Sequence, residues 1–157
     1  MSRSSQVARN LEARIDIAAP PHQVWSVIAD LRRMPEFSPQ CRRTFVLGQI
    51  RTGARMVNLN REGWKVWPTS AQIVRFEPDT ALAFRMKENH TVWSFELTPS
   101  PTGTTLVQRR DASAGIPTLG ITLLDVMFGS QDAFDTILTD GMNTTLKRIK
   151  QAVEALT

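Results

Sequence analysis

The fold of this chain is decided by its C-terminal stretch, residues 130–156, which reads SQDAFDTILTDGMNTTLKRIKQAVEAL. Residues spaced 100° apart place the large apolar side chains on one arc and the charged ones opposite, which predicts one long amphipathic helix. The arc comprises Phe134, Ile137, Leu138, Met142, Leu146, Ile149, Ala152, Val153 and Leu156. Gly141 and Thr145 interrupt its middle, where large side chains are expected. The helix therefore either packs very close to a neighbour or leaves room for a ligand.

Strands are predicted upstream of this helix, because the hydrophobic period there is two. Residues 11–17 alternate apolar and charged side chains. Six further candidate strands cover residues 41–47, 54–61, 65–76, 81–86, 90–97 and 104–111. The breaks between these six are short and carry turn residues, which indicates antiparallel neighbours.

Two short helices are predicted between the first strand and the second. Pro20 and Pro21 open one helix, since proline is favoured at the first helical position. Prolines at positions 35 and 39 limit the other to a single turn. The order predicts an α+β fold in which a curved antiparallel sheet of about seven strands wraps around the C-terminal helix.

One predicted hairpin has a testable register. With its turn at Glu88-Asn89, Phe84 faces Trp93 and Leu82 faces Phe95, so the large apolar residues share one face. A pairing of Leu97 with Thr104 across the next turn extends that face. It then carries Leu106, Gln108 and Arg110.

Length and composition predict a single cytoplasmic domain. Of 157 residues, 1–9 are expected to form a flexible N-terminus and 10–157 one domain. The single cysteine, Cys41, excludes an internal disulfide and favours a reducing compartment. The N-terminal residues have no apolar core typical of a signal peptide, and residues 116–128 are too short for stable membrane insertion.

The net charge of +4 and the pI near 10 do not by themselves predict nucleic-acid binding. The chain has no tyrosine, so a small cation excess moves the pI far upward. The basic residues occur along the sequence as separate arginine pairs at 32–33, 42–43 and 109–110. We therefore expect no nucleic-acid partner.

Four stretches carry a family resemblance: IDIAAPPHQVWSVIAD at 15–30, MPEFSP at 34–39, GTTLVQRR at 103–110 and TLKRIK at 145–150. With this layout the chain resembles the START/Bet v 1-like (SRPBCC) superfamily, nearest to its polyketide cyclase/dehydrase branch. The resemblance implies a helix-grip fold with a hydrophobic cavity between sheet and helix. It also implies a hydrophobic ligand such as a lipid, polyketide or aromatic metabolite, and only some members of the superfamily are enzymes.

The predicted ligand-binding residues lie on the inner sheet face and on the helix arc. They are Phe84, Trp93, Phe95, Leu106, Gln108, Arg110, Phe134, Leu138, Gly141, Met142 and Thr145. The alternative is a solid core in which glycine and threonine permit close packing. Arg110 is expected either at the cavity mouth, facing a carboxylate or phenolate, or at an edge, reaching solvent.

No catalytic residue, cofactor or metal site is predicted. His22 and His90 are expected to face solvent, Cys41 has no base nearby in sequence, and metal, nucleotide and serine-hydrolase motifs are missing. Binding of a hydrophobic small molecule is therefore the main hypothesis. A polyketide aromatase/cyclase or dehydratase is the alternative, and a regulatory partner protein with an incidental cavity is the third. Whether the protein is a homodimer, and whether residues 116–128 form a lid or only a packed connection, stay open.

Overall fold

The computed structural model describes residues 10–113 and 131–156. A 3₁₀ turn at Leu31–Arg33 precedes the second helix. The helices and strands in chain order are β1 Leu11–Ile17, α1 Pro21–Ile28, α2 Met34–Phe37, β2 Cys41–Leu47, β3 Arg55–Glu62, β4 Lys65–Glu77, β5 Ala81–Met86, β6 Val92–Ser100, β7 Gly103–Asp111 and α3 Gln131–Glu154. The predicted segment 116–128 lies outside the described residues.

The seven strands form one antiparallel sheet in the order β1-β7-β6-β5-β4-β3-β2. Register shifts in β2 next to Cys41 and in β4 between Ile73 and Arg75 mark bulges, which bend and twist strands. The long helix α3 packs mainly against β1 and contacts α1, α2 and β7. The predicted α+β fold, a curved sheet holding a C-terminal helix, is confirmed.

The register of the β5–β6 hairpin agrees with the prediction, since Phe84 pairs with Trp93 and Leu82 with Phe95. The predicted β6–β7 register is wrong by two residues, because Leu97 pairs with Leu106 rather than with Thr104. The turn is tighter than the broken sequence indicates, with Ser100 already paired to Gly103. A register shift of two residues leaves every side chain on the same face of the sheet, so the residues of β7 assigned to the inner face are still correct.

The two halves of α3 have different surroundings. Leu146, Ile149 and Val153 in the C-terminal half are fully buried in the apolar core. Two hydrogen bonds fix this half: the Lys150 ammonium donates to the Asp16 carbonyl at 2.8 Å, and the Ala18 amide donates to the Glu154 carboxylate at 3.2 Å. The N-terminal half faces a cavity, described below.

The predicted apolar arc extends too far at its C-terminal end. Leu156 is 59% exposed, because the helix ends at Glu154 and the chain leaves the sheet surface there. In the part of the chain that the structure describes, no helix is both long and apolar enough to cross a membrane.

Candidate ligand-binding cavity

A cavity of about 140 Å³ lies between the inner face of the sheet and the N-terminal half of α3, and it is partly open to solvent. Strands β3 to β7 form one wall, α3 forms the other, and the connection from α2 to β2 closes one side. The lining is mostly apolar and includes Phe84, Trp93, Phe95, Trp67 and Phe134. Aromatic and methionine walls of this kind suit flat apolar ligands.

Ten of the eleven predicted binding residues line this cavity. They are Phe84, Trp93, Phe95, Gln108, Arg110, Phe134, Leu138, Gly141, Met142 and Thr145. Leu106 does not line it. It pairs with Ile15 and Leu97 and is fully buried in the closed part of the core, where α3 and the sheet leave no space. A role in ligand binding stays a prediction for the other ten.

Several lining residues were not predicted. Strands β3 and β4 contribute Asn60, Trp67 and Thr69, and the segment of α2 and the connection before β2 contributes Met34, Ser38 and Gln40. The first group follows from period two once Met56 and Asn58 are placed inside. The second group has no such signal, because a connection without regular periodicity does not reveal which side chains face inward.

Gln40 explains the missing side chain at Gly141. A Cβ built at Gly141 would lie 3.0 Å from Gln40 Nε2 and closer still to its Oε1. The Gln40 amide donates long hydrogen bonds to the Ile137 carbonyl and the Glu62 carboxylate, both at 3.5 Å. The gap in the apolar arc therefore accommodates a polar side chain of the protein as well as bordering the cavity.

Arg110 is held by an ion pair with Asp135 of α3. Its guanidinium Nη2 lies 3.0 Å from Asp135 Oδ1, and the two side chains are only 2% and 7% exposed. Both predicted positions for Arg110, at the mouth or reaching solvent from an edge, are therefore wrong. Burial lowers the pKa of Arg110 while Asp135 opposes that change, and a guanidinium keeps its proton in a protein. The pair adds no net charge to the cavity wall.

Gln108 lines the cavity and carries an unsatisfied polar group. The side chain is 7% exposed, and its Oε1 accepts no hydrogen bond from any described residue. Phe95 lies directly opposite it on β6. A buried amide oxygen without a partner is uncommon in native structures, because its desolvation is uncompensated.

The titratable groups of the described cavity lining are Cys41 and Arg110, and no histidine, aspartate or glutamate belongs to it. Burial raises the pKa of the Cys41 thiol, so the thiol stays protonated at neutral pH. Cys41 Sγ lies 3.2 Å from Thr44 Oγ1 and 3.6 Å from the Arg43 carbonyl oxygen. His22 and His90 are both exposed, as predicted.

Among residues 10–113 and 131–156, no cluster of histidine, cysteine or carboxylate side chains could hold a metal ion.

Three solved structures show the same fold. The di-domain aromatase/cyclase StfQ from the steffimycin pathway is 15% identical, with a TM-score of 0.77 over 98% of this chain. The match covers 52% of StfQ, so this chain spans about half of it. The Zhui aromatase/cyclase from Streptomyces sp. R1128 is 14% identical, with a TM-score of 0.72 and 93% coverage of both chains. The polyketide-cyclase-like protein Cgl2372 from Corynebacterium glutamicum is 23% identical, with a TM-score of 0.57, and 92% of this chain and 91% of that one are covered.

At these identities the structural matches establish the fold alone. No curated protein matches the sequence. The family described as "Polyketide cyclase / dehydrase and lipid transport" matches residues 8–154, nearly the whole chain. On this match the chain belongs to the polyketide cyclase/dehydrase and lipid transport family, within the START/Bet v 1-like fold predicted from its sequence.

Proposed function

We propose that this protein binds an uncharged hydrophobic small molecule, with an aromatic ring and a hydroxyl group, in the cavity between the sheet and α3. The observation that carries the proposal is Gln108, a cavity-lining residue whose buried amide oxygen has no hydrogen-bond partner among the described residues. Lipids, polyketides and other aromatic metabolites all include molecules of this class.

The volume of the cavity supports a ligand that contains a group the size of an aromatic ring. An engineered cavity of about 150 Å³ in another protein stays dry and binds benzene. The present cavity, about 140 Å³, matches that size and has aromatic walls on both sides. Its opening to solvent lets a longer ligand extend outward from the ring.

Gln108 supports a polar substituent on that ring. An unsatisfied buried polar group costs about 1–3 kcal/mol. A ligand hydroxyl that donates to Gln108 Oε1 would recover this cost on binding, whereas a purely apolar ring would not. Gln108 would therefore select among ligands of the same shape.

Electrostatics support a neutral ligand. Arg110 already has a carboxylate partner in Asp135, so a ligand carboxylate would be a buried charge with no counter-ion of its own. We therefore expect ring alcohols and phenols to bind better than ring carboxylates.

Turnover is the second candidate. The family description names cyclases and dehydrases, and two of the structural neighbours are aromatase/cyclases. Cyclisation and dehydration require a group that accepts or donates a proton at the substrate. The described lining offers a protonated thiol and a paired guanidinium for that role, which favours binding over catalysis.

The proposal is tested with three probes of one shape: 2-naphthol, naphthalene and 2-naphthoate. We expect quenching of the cavity tryptophans to show tightest binding for 2-naphthol, weaker binding for naphthalene and weakest for 2-naphthoate. In Gln108→Leu the preference for 2-naphthol over naphthalene should disappear. The matched control is Thr104→Val, which removes a buried hydroxyl of the same strand that donates to the Ala19 carbonyl at 2.7 Å, away from the cavity.

Two results would overturn the proposal. One is the absence of saturable binding of any of the three probes, which would leave the cavity incidental. The other is an unchanged preference for 2-naphthol in Gln108→Leu. If the wild-type protein converts a poly-β-keto thioester, as measured by a change in the absorbance spectrum of the thioester, the cyclase alternative is established instead.

A further inference from the structure

The outer face of strands β2 to β4 exposes large apolar side chains. Phe45 is 54% exposed, Leu47 64%, Val57 41%, Leu59 39% and Val66 55%. Because Met56, Asn58 and Asn60 point into the cavity, the alternating residues of β3 must point away from it. We call these five apolar residues, together with Arg43, Arg55 and Arg61, the β2–β4 outer face.

The strand register makes this face continuous. Phe45 lies opposite Val57, and Leu47 lies opposite Arg55. Arg43 lies opposite Leu59, and Arg61 opposite Val66. Directly opposed side chains on one face are close neighbours, so apolar and guanidinium groups alternate over a single surface.

The same segment concentrates the positive charge of the chain. Residues 41–66 contain six basic side chains and one acidic side chain, a net charge of +5 against +4 for the whole sequence. The rest of the chain is therefore slightly acidic. Pairing of β2 with β3 places Arg43, opposite Leu59, on the same surface as Arg55 and Arg61 of the next strand.

The arginines of this segment are not neutralised. Within the described residues, none of Arg42, Arg43, Arg51, Arg55 and Arg61 forms a salt bridge. Five arginines elsewhere do: Arg14, Arg33, Arg75, Arg109 and Arg110. These five guanidinium groups are therefore available to an external partner.

A tryptophan projects from the edge of the same face. Trp64 occupies the tight turn between β3 and β4 and is 85% exposed. The ammonium of Lys65 lies 5.8 Å from the centroid of its ring. Exposed tryptophan beside cationic side chains is typical of proteins that contact the headgroup region of a bilayer.

We propose that the β2–β4 outer face, with Trp64 at its edge, docks on the surface of a membrane that contains anionic lipids. Apolar side chains would enter the interfacial region while the guanidinium groups contact phosphates. A second copy of this chain fits less well, because each outer face carries the three arginines Arg43, Arg55 and Arg61, and two such faces would repel each other. Nucleic acid would leave the apolar side chains without a partner.

The position of this face relates it to the cavity. Asn60, Trp67 and Thr69 line the cavity from the inner side of the β3–β4 hairpin that carries Trp64 at its tip. Docking through the hairpin would bring one wall of the cavity to the lipid surface. The docking proposal does not depend on which ligand the cavity binds, so the two can fail separately.

The test is co-sedimentation of the full chain with vesicles of phosphatidylcholine alone and of phosphatidylcholine mixed with phosphatidylglycerol. We expect binding to the mixed vesicles only, decreasing as salt is added. The double variant Arg43→Glu/Arg55→Glu should bind about 30-fold more weakly, the loss of two such phosphate contacts. Trp64→Ala should bind about tenfold more weakly.

The matched control is Lys147→Glu/Arg148→Glu, which changes the net charge equally on exposed positions of α3. It should retain vesicle binding. Unfolding curves of all variants check that they fold.

Three results would overturn the proposal. The first is failure of the wild-type protein to bind mixed vesicles at low salt. The second is equal loss of binding by both double variants, which would show that binding depends on net charge and not on this face. Binding to poly-glutamate but not to the vesicles would assign the face to an acidic protein.

Discussion

Arg110 shows how a single residue sets the chemistry of the whole cavity. A buried guanidinium needs a counter-charge, and Asp135 supplies it from the first turns of α3. The result is a polar but electrically neutral wall beside aromatic side chains. Gln108, two residues earlier in β7, is a cavity-lining side chain whose buried amide oxygen has no hydrogen-bond partner among the described residues.

The Arg110–Asp135 pair makes a prediction for stability. Asp135→Asn removes the carboxylate charge from a guanidinium that is 2% exposed, which should lower the free energy of unfolding by about 3–5 kcal/mol. Arg110→Met/Asp135→Leu replaces both charges with apolar groups and should recover most of that loss. Urea unfolding of the two variants and the wild type measures this. Equal destabilisation by the single and the double variant would contradict it.

Cys41 makes a prediction for pH dependence. Burial holds the pKa of the folded thiol above its unfolded value, so the unfolded chain loses the proton first as pH rises. The stabilisation is therefore complete below the unfolded pKa, near 8.5, and is lost as pH increases toward the folded pKa. Its slope is at most about 1.4 kcal/mol per pH unit.

The Cys41 effect is measured by urea unfolding at several pH values from neutral to mildly alkaline. Wild-type stability should fall more steeply than that of Cys41→Ala, in which the remaining titrating groups are unchanged. Parallel curves for the two proteins would show that the thiol titrates alike in the folded and unfolded chains.

At the scale of the element, α3 serves two purposes along one helix. Its C-terminal half closes the core against β1 through Leu146, Ile149 and Val153. Toward its N-terminus the helix borders the cavity, and the small residues Gly141 and Thr145 stand there in place of large apolar side chains. The Thr145 hydroxyl donates to the Gly141 carbonyl at 2.7 Å, so a polar group facing the cavity is satisfied within the helix.

Gly141 makes a prediction for the helix. Glycine in a helix interior costs about 0.8–1 kcal/mol relative to alanine. Gly141→Ala should nevertheless give little or no stabilisation, because its Cβ meets the Gln40 side chain. In a Gln40→Ala background the same change should stabilise by about 1 kcal/mol. A double-mutant cycle of unfolding free energies tests this, and identical effects in both backgrounds would exclude contact between the two residues.

In the domain as a whole, the sheet separates two surfaces that differ in charge and in proposed role. Its inner face and α3 enclose an apolar cavity without net charge, while the outer face of β2 to β4 is apolar and cationic. Period two in β3 links the two surfaces, since Met56, Asn58 and Asn60 alternate with Val57 and Leu59. One strand therefore contributes to the proposed ligand site and to the proposed membrane face.

A ligand in the cavity should stabilise the whole domain. At 100 times its dissociation constant, 2-naphthol should raise the free energy of unfolding by about 2.7 kcal/mol. For a chain of this length that corresponds to a Tm increase of about 5–10 °C. Calorimetric scans measure it, with Gln108→Leu at the same 2-naphthol concentration as control. An equal Tm increase in that variant would contradict the assigned role of Gln108.

The layout of strands and helices could be predicted from local patterns in the chain. Period two and period 3.6 assigned all seven strands and α3, and the β5–β6 register followed because Phe84, Trp93, Leu82 and Phe95 must share a buried face. Periodicity also placed ten cavity-lining side chains on the inward side, since it fixes which way a side chain points, whereas the cavity itself was implied by the family resemblance. The wrong β6–β7 register did not change these assignments, because a shift of two residues keeps each side chain on the same face of the sheet.

The contacts of those side chains could not be predicted in this way, because they form between distant parts of the chain. The partner of Arg110 is 25 residues away, and the side chain that occupies the space at Gly141 comes from Gln40, about a hundred residues earlier in the chain. The arginines of β2 and β3 become one surface only when the two strands pair. Periodicity is a local property of the chain, whereas ion pairing, cavity size and charge clustering depend on distances between segments that only folding brings together.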